Sequence, residues 1–230
     1  MAPPDFFAPS DYTAHLLLAA RRHVRAARPG RVLEIGVGSG AVLADLLVAG
    51  AGRGWGVDIE PLAVEAARRL MSQLGLDGRC SIEQGALWST CEGQRFDLVV
   101  ANLPHFAAED TDDGVHLPSW SIGGADGRRC VDPFLHGLAT HLAPDGVALM
   151  THNVFIDLER TRELLRPLGL VAEVVLSAST VLAPSKLARM TPAVRARCDG
   201  QSVHRVGPYA FVDFDVVRIG WRSAGVADAG

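Results

Sequence analysis

Three short stretches of this chain hold residues whose types and spacing can do chemistry. The first is Val32-Leu33-Glu34-Ile35-Gly36-Val37-Gly38-Ser39-Gly40, an apolar run that breaks into a glycine turn and feeds into the helical pattern Ala41 to Leu47. Glycines admit left-handed backbone dihedrals, and the free N–H groups and positive dipole end of the following helix then face outward. Such a turn suits a nucleotide-type cofactor lying against bare backbone. Gly36-x-Gly38-x-x-Ala41 also satisfies the dinucleotide fingerprint as loosely written, so a nicotinamide cofactor stays open on the turn alone. The second stretch, Gly54-Trp55-Gly56-Val57-Asp58, ends in a carboxylate at the tip of the next strand, where it suits a vicinal diol. The third is the strand Phe96 to Ala101 running into Asn102-Leu103-Pro104-His105. Pro104 restricts Leu103 to extended dihedrals, which holds its carbonyl in place. His105 can accept a proton if its pKa lies near neutral. The plain alternative is that Glu34 and Asp58 cap neighbouring helices, and that 102–105 is a strand-ending turn with a surface histidine.

Together, Glu34 two residues before the first glycine, Asp58 and the Asn102 run resemble the class I S-adenosylmethionine (SAM) methyltransferases. Asn102-Leu103-Pro104-His105 is similar to the Asn-Pro-Pro-Tyr signature of those that methylate nitrogen. Two further runs, Ala8-Pro9-Ser10-Asp11-Tyr12-Thr13 and Gly123-Gly124-Ala125-Asp126-Gly127, resemble segments of the release-factor glutamine methyltransferases, and the likeness extends over residues 6 to 152. The resemblance implies SAM as cofactor. It places Glu34, Gly36, Gly38 and Gly40 at the methionine end, Asp58 and Ile59 at the ribose, Gly85 and Ala86 near the adenine, and Asn102 alongside. It further implies Asn102, Leu103, Pro104 and His105 as the catalytic run, in which the Asn102 oxygen and the Leu103 carbonyl accept hydrogen bonds from the methyl-accepting nitrogen.

The chain departs from the pattern at three positions. Leu103 replaces the first proline, and His105 replaces an aromatic that stacks on a planar acceptor, a task Phe106 can take over. Ala86 stands where an acidic residue meets the adenine amino group; a backbone carbonyl, Gln84, Leu87 or Trp88 is left to replace it. His116 and Trp120 are further candidates for the acceptor wall. The separate N-terminal helical domain of the family is not found, and the last fifty residues do not match. A small-molecule amine, amide or heteroaromatic nitrogen is therefore the expected acceptor. A protein or peptide amide of the glutamine type, and a non-catalytic SAM-binding protein of the same fold, stand as alternatives.

These residues must be positioned by an alternation of strands and helices, which predicts a parallel sheet covered on both faces. A lead-in segment and helix occupy residues 1–30, with Leu16, Leu17, Ala20 and Val24 at helical spacing. The methyltransferase domain is expected over 31–230. Strands are predicted at 31–36, 54–58, 80–84, 96–101, 147–151 and 170–176, and helices at 39–49, 60–74, 130–142 and 157–167. Residues 210–219 alternate with period two and follow no helix of ordinary length, which predicts a terminal antiparallel strand. The fold class is thus α/β, a Rossmann-like doubly wound sheet of seven strands. Two stretches, 103–129 and 181–208, read as long loop insertions that form a lid or surface loops.

Composition narrows the partners. The 230 residues are 48% hydrophobic and carry a net charge of -4, which disfavours duplex nucleic acid. Cys80, Cys91, Cys130 and Cys198 show no C-x-x-C pairing, so neither a metal site nor a disulfide framework is expected. No targeting or membrane-spanning run is read, and a cytoplasmic location is the default. The sequence leaves the oligomeric state open.

Overall fold

A computed structural model of the chain describes residues 8–108 and 121–222. The lead-in helix α1 (Asp11–Ala27) begins where the Ser10 N–H donates to Thr13 Oγ1 at 3.1 Å. It buries Leu16, Ala20 and Val24, one stripe at helical spacing. Five strands and four helices follow: β1 (Arg31–Ile35), α2 (Ala41–Val48), β2 (Arg53–Asp58), α3 (Pro61–Gln73), β3 (Cys80–Gln84), β4 (Phe96–Ala101), α4 (Val131–His141), β5 (Leu142–Asn153) and α5 (Leu158–Leu165). The chain closes with β6 (Leu170–Leu182), α6 (Pro184–Arg189), α7 (Pro192–Cys198), β7 (Val203–Val206) and β8 (Tyr209–Trp221).

The strands form one sheet in the order β3-β2-β1-β4-β5-β8-β6, with β7 added beside β8. The first five pair in parallel, whereas β8 runs antiparallel between β5 and β6. This is the expected mixed α/β sheet with an antiparallel terminal strand, extended by the short eighth strand β7. Helices α1, α2 and α3 cover one face through Leu16, Leu43, Leu46 and Val64; α4 to α7 cover the other through Phe134, Leu138, Leu165 and Val194. Strands β1 and β4, buried on both sides, therefore read as continuous apolar runs. The strand order reverses between β1 and β4, and their C-terminal ends open the crevice where such sheets bind ligands.

Two stretches differ from the sequence reading. The 181–208 segment is no loop: it finishes β6, folds into α6 and α7, and returns as β7. Its helices have six and seven residues, each started by a proline at the first position, too short for a hydrophobic period to show. The strand expected at 147–151 is longer, and β5 takes in Pro144-Asp145-Gly146, where the register with β4 jumps from Phe96 opposite Leu142 to Leu98 opposite Val147. Of the 103–129 stretch, residues 109–120 lie outside the described residues. Its ends pair with each other: the Phe106 N–H donates to the Ser121 carbonyl at 3.0 Å and the Gly123 N–H to the Phe106 carbonyl at 2.8 Å.

Candidate functional site

The glycine turn begins as β1 ends, with Gly36, Gly38 and Gly40 at φ of 73°, 50° and 80°. A Cβ on Gly40 would also stand 3.0 Å from Ala67, so the turn is both left-handed and packed against α3. Asp58 fastens it: one carboxylate oxygen accepts from the Gly38 N–H at 2.9 Å and the other from the Glu60 N–H at 3.0 Å. Each oxygen keeps a lone pair for a further donor. Gly36, Gly38, Asp58, Ile59, Gly85, Ala86 and Asn102 all line one cleft of about 410 Å³, within the usual range for small-molecule sites. Gly40 does not line it and serves as the N-cap of α2.

Glu34 lies in an adjoining recess with Gly36, Gly38, Thr13 and Asn102. It is buried, and its Oε2 accepts from the Leu43 N–H at 2.8 Å, in the first turn of α2. Glu34 thus braces the turn from behind as well as facing the recess. Burial holds its carboxyl well above the usual carboxylate range; the Leu43 bond works against this and nearby Asp58 adds to it.

At the far end of the cleft the replacements for the missing acid sort themselves. Gln84 Nε2 donates to the Ile59 carbonyl at 3.3 Å, and Leu87, in the left-handed region at φ 49°, lines the cleft. Trp88 turns away. It stacks on His141 with ring centroids 4.5 Å apart and donates to the Phe134 carbonyl at 3.2 Å, so it belongs to the core.

The run Asn102-Leu103-Pro104 lines this cleft and also a second one, of about 350 Å³, on its other side. Asn102 is clamped there. Its Oδ1 accepts from Thr151 at 2.7 Å, and its Nδ2 donates to Thr13 Oγ1 at 3.3 Å. The second cleft also holds Tyr12, His105, Phe106, Asn153 and Lys186. The Tyr12 hydroxyl donates to Asn153 Oδ1 at 2.8 Å, and burial raises its pKa. His105 is neither on the surface nor near-neutral. Burial, with Lys186 adding, pushes its pKa down to about 4, against a smaller opposing effect of the Leu103 backbone, and its Nδ1 has no partner. His116 and Trp120 lie outside the described residues.

Tyr12, Thr13, Thr151 and Asn153 went unsingled in the sequence as lining or clamping groups because β1 to β5 run between the two pairs; Tyr12 and Asn153 stand 141 residues apart. The Gly123 to Gly127 turn has a similar hidden task. A Cβ on Gly127 would come within 2.6 Å of the His105 carbonyl, and one on Gly123 within 2.8 Å of the His105 Cα, so the turn packs directly behind the 102–106 run. Next to it, buried Arg128 ties that turn to Asp132, Thr161 and the Ile156 carbonyl. No group of three or more metal-ligating side chains occurs among the described residues.

With this geometry in hand, the comparisons are specific. Residues 32–116 match a methyltransferase-domain family. A protein of Methanocaldococcus jannaschii named as a protein N5-glutamine methyltransferase is 31% identical over 144 residues, 62% of this chain and 72% of the relative. A release factor glutamine methyltransferase of Rhodospirillum rubrum is 38% identical over 128 residues, 51% of this chain but 38% of the relative's length, so the chain spans under half of that protein. Among solved structures, the E. cuniculi Mtq2–Trm112 complex, described as responsible for methylation of the eRF1 translation termination factor, superposes at a TM-score of 0.59 with 16% identity, over 95% of this chain and 99% of that one. These proteins are named for protein acceptors, which overturns the expectation of a small-molecule partner. Glycine turn, Asp58, the Asn102 run and the sequence relatives agree: the chain belongs to the class I SAM-dependent methyltransferases, of the release-factor glutamine N5-methyltransferase type.

Proposed function

We propose that this chain N-methylates the side-chain amide of a glutamine in a protein or peptide. The observation that carries the reading is the shared wall: Asn102, Leu103 and Pro104 face both clefts, so an acceptor in one lies against a donor in the other. The glycine cradle fits a cofactor approached by bare backbone, and Asp58 has lone pairs left for a ribose diol. When bound, SAM supplies a methyl group on a positively charged sulfur. What remains for the protein is orientation. Asn102 Oδ1 spends one lone pair on Thr151 and keeps the other for an amide N–H, with the Leu103 carbonyl as second acceptor. Two such bonds aim the nitrogen lone pair and stabilise positive charge as it develops there. His105, uncharged at neutral pH, adds no repulsion to a cationic donor across the wall.

A cytoplasmic site of action is part of this reading, since the relatives are named for translation release and termination factors. No helix among the described residues is long and apolar enough to cross a membrane. The test is incubation of the purified full chain with isotope-labelled SAM and purified release factors, ribosomal proteins and glutamine peptides, with the modified residue located by mass spectrometry. Label on a glutamine side chain is expected. Label confined to other residue types, or none in any protein or peptide, would end the proposal.

A further inference from the structure

The segment 181–208, which the sequence reading set apart as a loop, supplies part of the second cleft. It carries Lys186, Arg189, Arg195, Arg197 and Arg205 against a single acid, Asp199, in a chain of net charge -4. Most of these cations are engaged elsewhere: Arg197 donates to the Phe155 carbonyl at 3.0 Å, and Arg205 pairs with Asp199 at 3.3 Å. Lys186 differs. It projects from α6 into the cleft shared with Asn102 and His105, half-buried, its Nζ 5.7 Å from the centroid of the Phe106 ring. Among the described residues it makes no ion pair and no hydrogen bond. Among the described residues the one carboxylate lining the same cleft, Asp11, accepts a hydrogen bond from Thr180 and does not reach Lys186.

We infer that Lys186 is a specificity-determining residue that pairs with a carboxylate of the acceptor, so that the chain selects a glutamine with an acidic residue close by. The inference rests on the glutamine reading above. An ammonium ion held out of bulk water over an aromatic face gains more from a carboxylate than an exposed one does. Burial lowers the Lys186 pKa, and an anion seated against it would reverse that shift. The remaining walls include Tyr12, Phe106, Leu182 and Val212, which suit a peptide's aliphatic and amide groups. A phosphate chain fits worse, because it would place further negative charge against Asp11. One acceptor carboxylate, set against Lys186 among apolar and uncharged polar walls, is what the charges allow.

The test uses the full chain and three peptides with a central glutamine flanked by Glu, Ala or Lys, measured both by fluorescence anisotropy and by methyl transfer. The wild-type chain should bind the Glu-flanked peptide about tenfold or more tighter than the Ala-flanked one, the difference appearing in KM more than in kcat. Lys186→Met should erase the preference, Lys186→Arg should keep most of it, and Lys186→Glu should turn it toward the Lys-flanked peptide. Equal binding of Glu- and Ala-flanked peptides by the wild type, an unchanged preference in Lys186→Met, or tighter competition by oligoribonucleotides than by the Glu peptide would each overturn the inference. Lys186-dependent binding of the Glu peptide without any methylation would support it and count instead against the glutamine reading.

Discussion

Asp58 shows how one side chain can be both scaffold and ligand group. Its two oxygens hold the Gly38 and Glu60 N–H groups, so removing it orphans two backbone donors beside the cleft as well as deleting the diol acceptor. Asp58→Ala should lose about ten- to a hundredfold in SAM affinity, from charge-assisted bonds worth roughly 1.5 to 3 kcal/mol. Asp58→Asn should lose nearly as much, since an amide offers one oxygen to two N–H donors and turns its NH2 against the other. Calorimetric titration with SAM reads both variants, and an Asn variant that binds like wild type would separate the diol contact from the scaffold. Asn102 makes the opposite case. Its side chain bonds Thr151 and Thr13 rather than the glycine turn, so Asn102→Ala should keep most SAM binding and lose about a hundredfold or more in turnover, the order seen when one orienting polar group is deleted. Single-turnover kinetics beside a binding titration checks this; intact turnover would remove Asn102 from the acceptor site.

Among the elements, the turn after the undescribed 109–120 stretch carries more than its sequence announces. Gly127 sits at φ 80°, and a Cβ there would press within 2.6 Å of both the His105 carbonyl and Ile156 Cγ2. Gly127→Ala should therefore combine a strained backbone with overpacking, costing about 1 to 3 kcal/mol, and should displace the wall that both clefts share. A lowered melting temperature together with impaired methyl transfer at low temperature is the expected pair of results; full activity at low temperature would confine the effect to stability. What the sequence made legible here follows from length. β4, β3 and α1 announce themselves within a residue or two because an apolar strand run or several helical turns give a period to count. The glycine turn is legible because only glycine tolerates three left-handed positions in five residues. Helices α6 and α7, one to two turns each, have no period to show, and Trp88 looks the same in sequence whether it faces a ligand or, as here, stacks on His141. Tyr12, Asn153 and Lys186 meet through the closing of the sheet, which no local pattern encodes.

At the scale of the whole molecule, three buried titratable groups give folding a signed pH dependence. His105, beside Lys186, has its pKa lowered to about 4, and His152, facing His105, Arg128 and Asp157, to about 3, burial being the main cause in each. His152 Nε2 bonds Thr161 at 2.9 Å while its Nδ1 has no partner, so the native state holds both rings neutral. In the unfolded chain each ring takes a proton near pH 6.5. Below that the unfolded state binds more protons than the native one, so the stability that is complete above pH 6.5 is lost as pH falls toward 4 and then 3. Between pH 6.5 and 5 linkage puts the loss on the order of 1 to 2 kcal/mol per histidine, a sizeable share of a typical folding free energy. Glu34 works with the opposite sign. Its raised pKa, set by burial with Asp58 adding, means that the native state keeps a proton the unfolded chain releases, so stability declines as pH rises from the ordinary carboxylate range through the folded pKa. Two histidines act against one carboxyl below pH 6.5, which predicts that stability falls as pH drops from 6.5, while Glu34 lowers it as pH rises toward its folded pKa. Urea unfolding from pH 4.5 to 8 should trace both limbs. His152→Gln, which keeps a partner for Thr161 without a titrating ring, should flatten the acid limb even if it lowers stability throughout. Glu34→Gln, which keeps an acceptor for the Leu43 N–H, should flatten the alkaline limb. A wild-type profile that rises steadily as pH falls from 6.5 to 4.5 would show that the imidazoles are not held neutral in the fold.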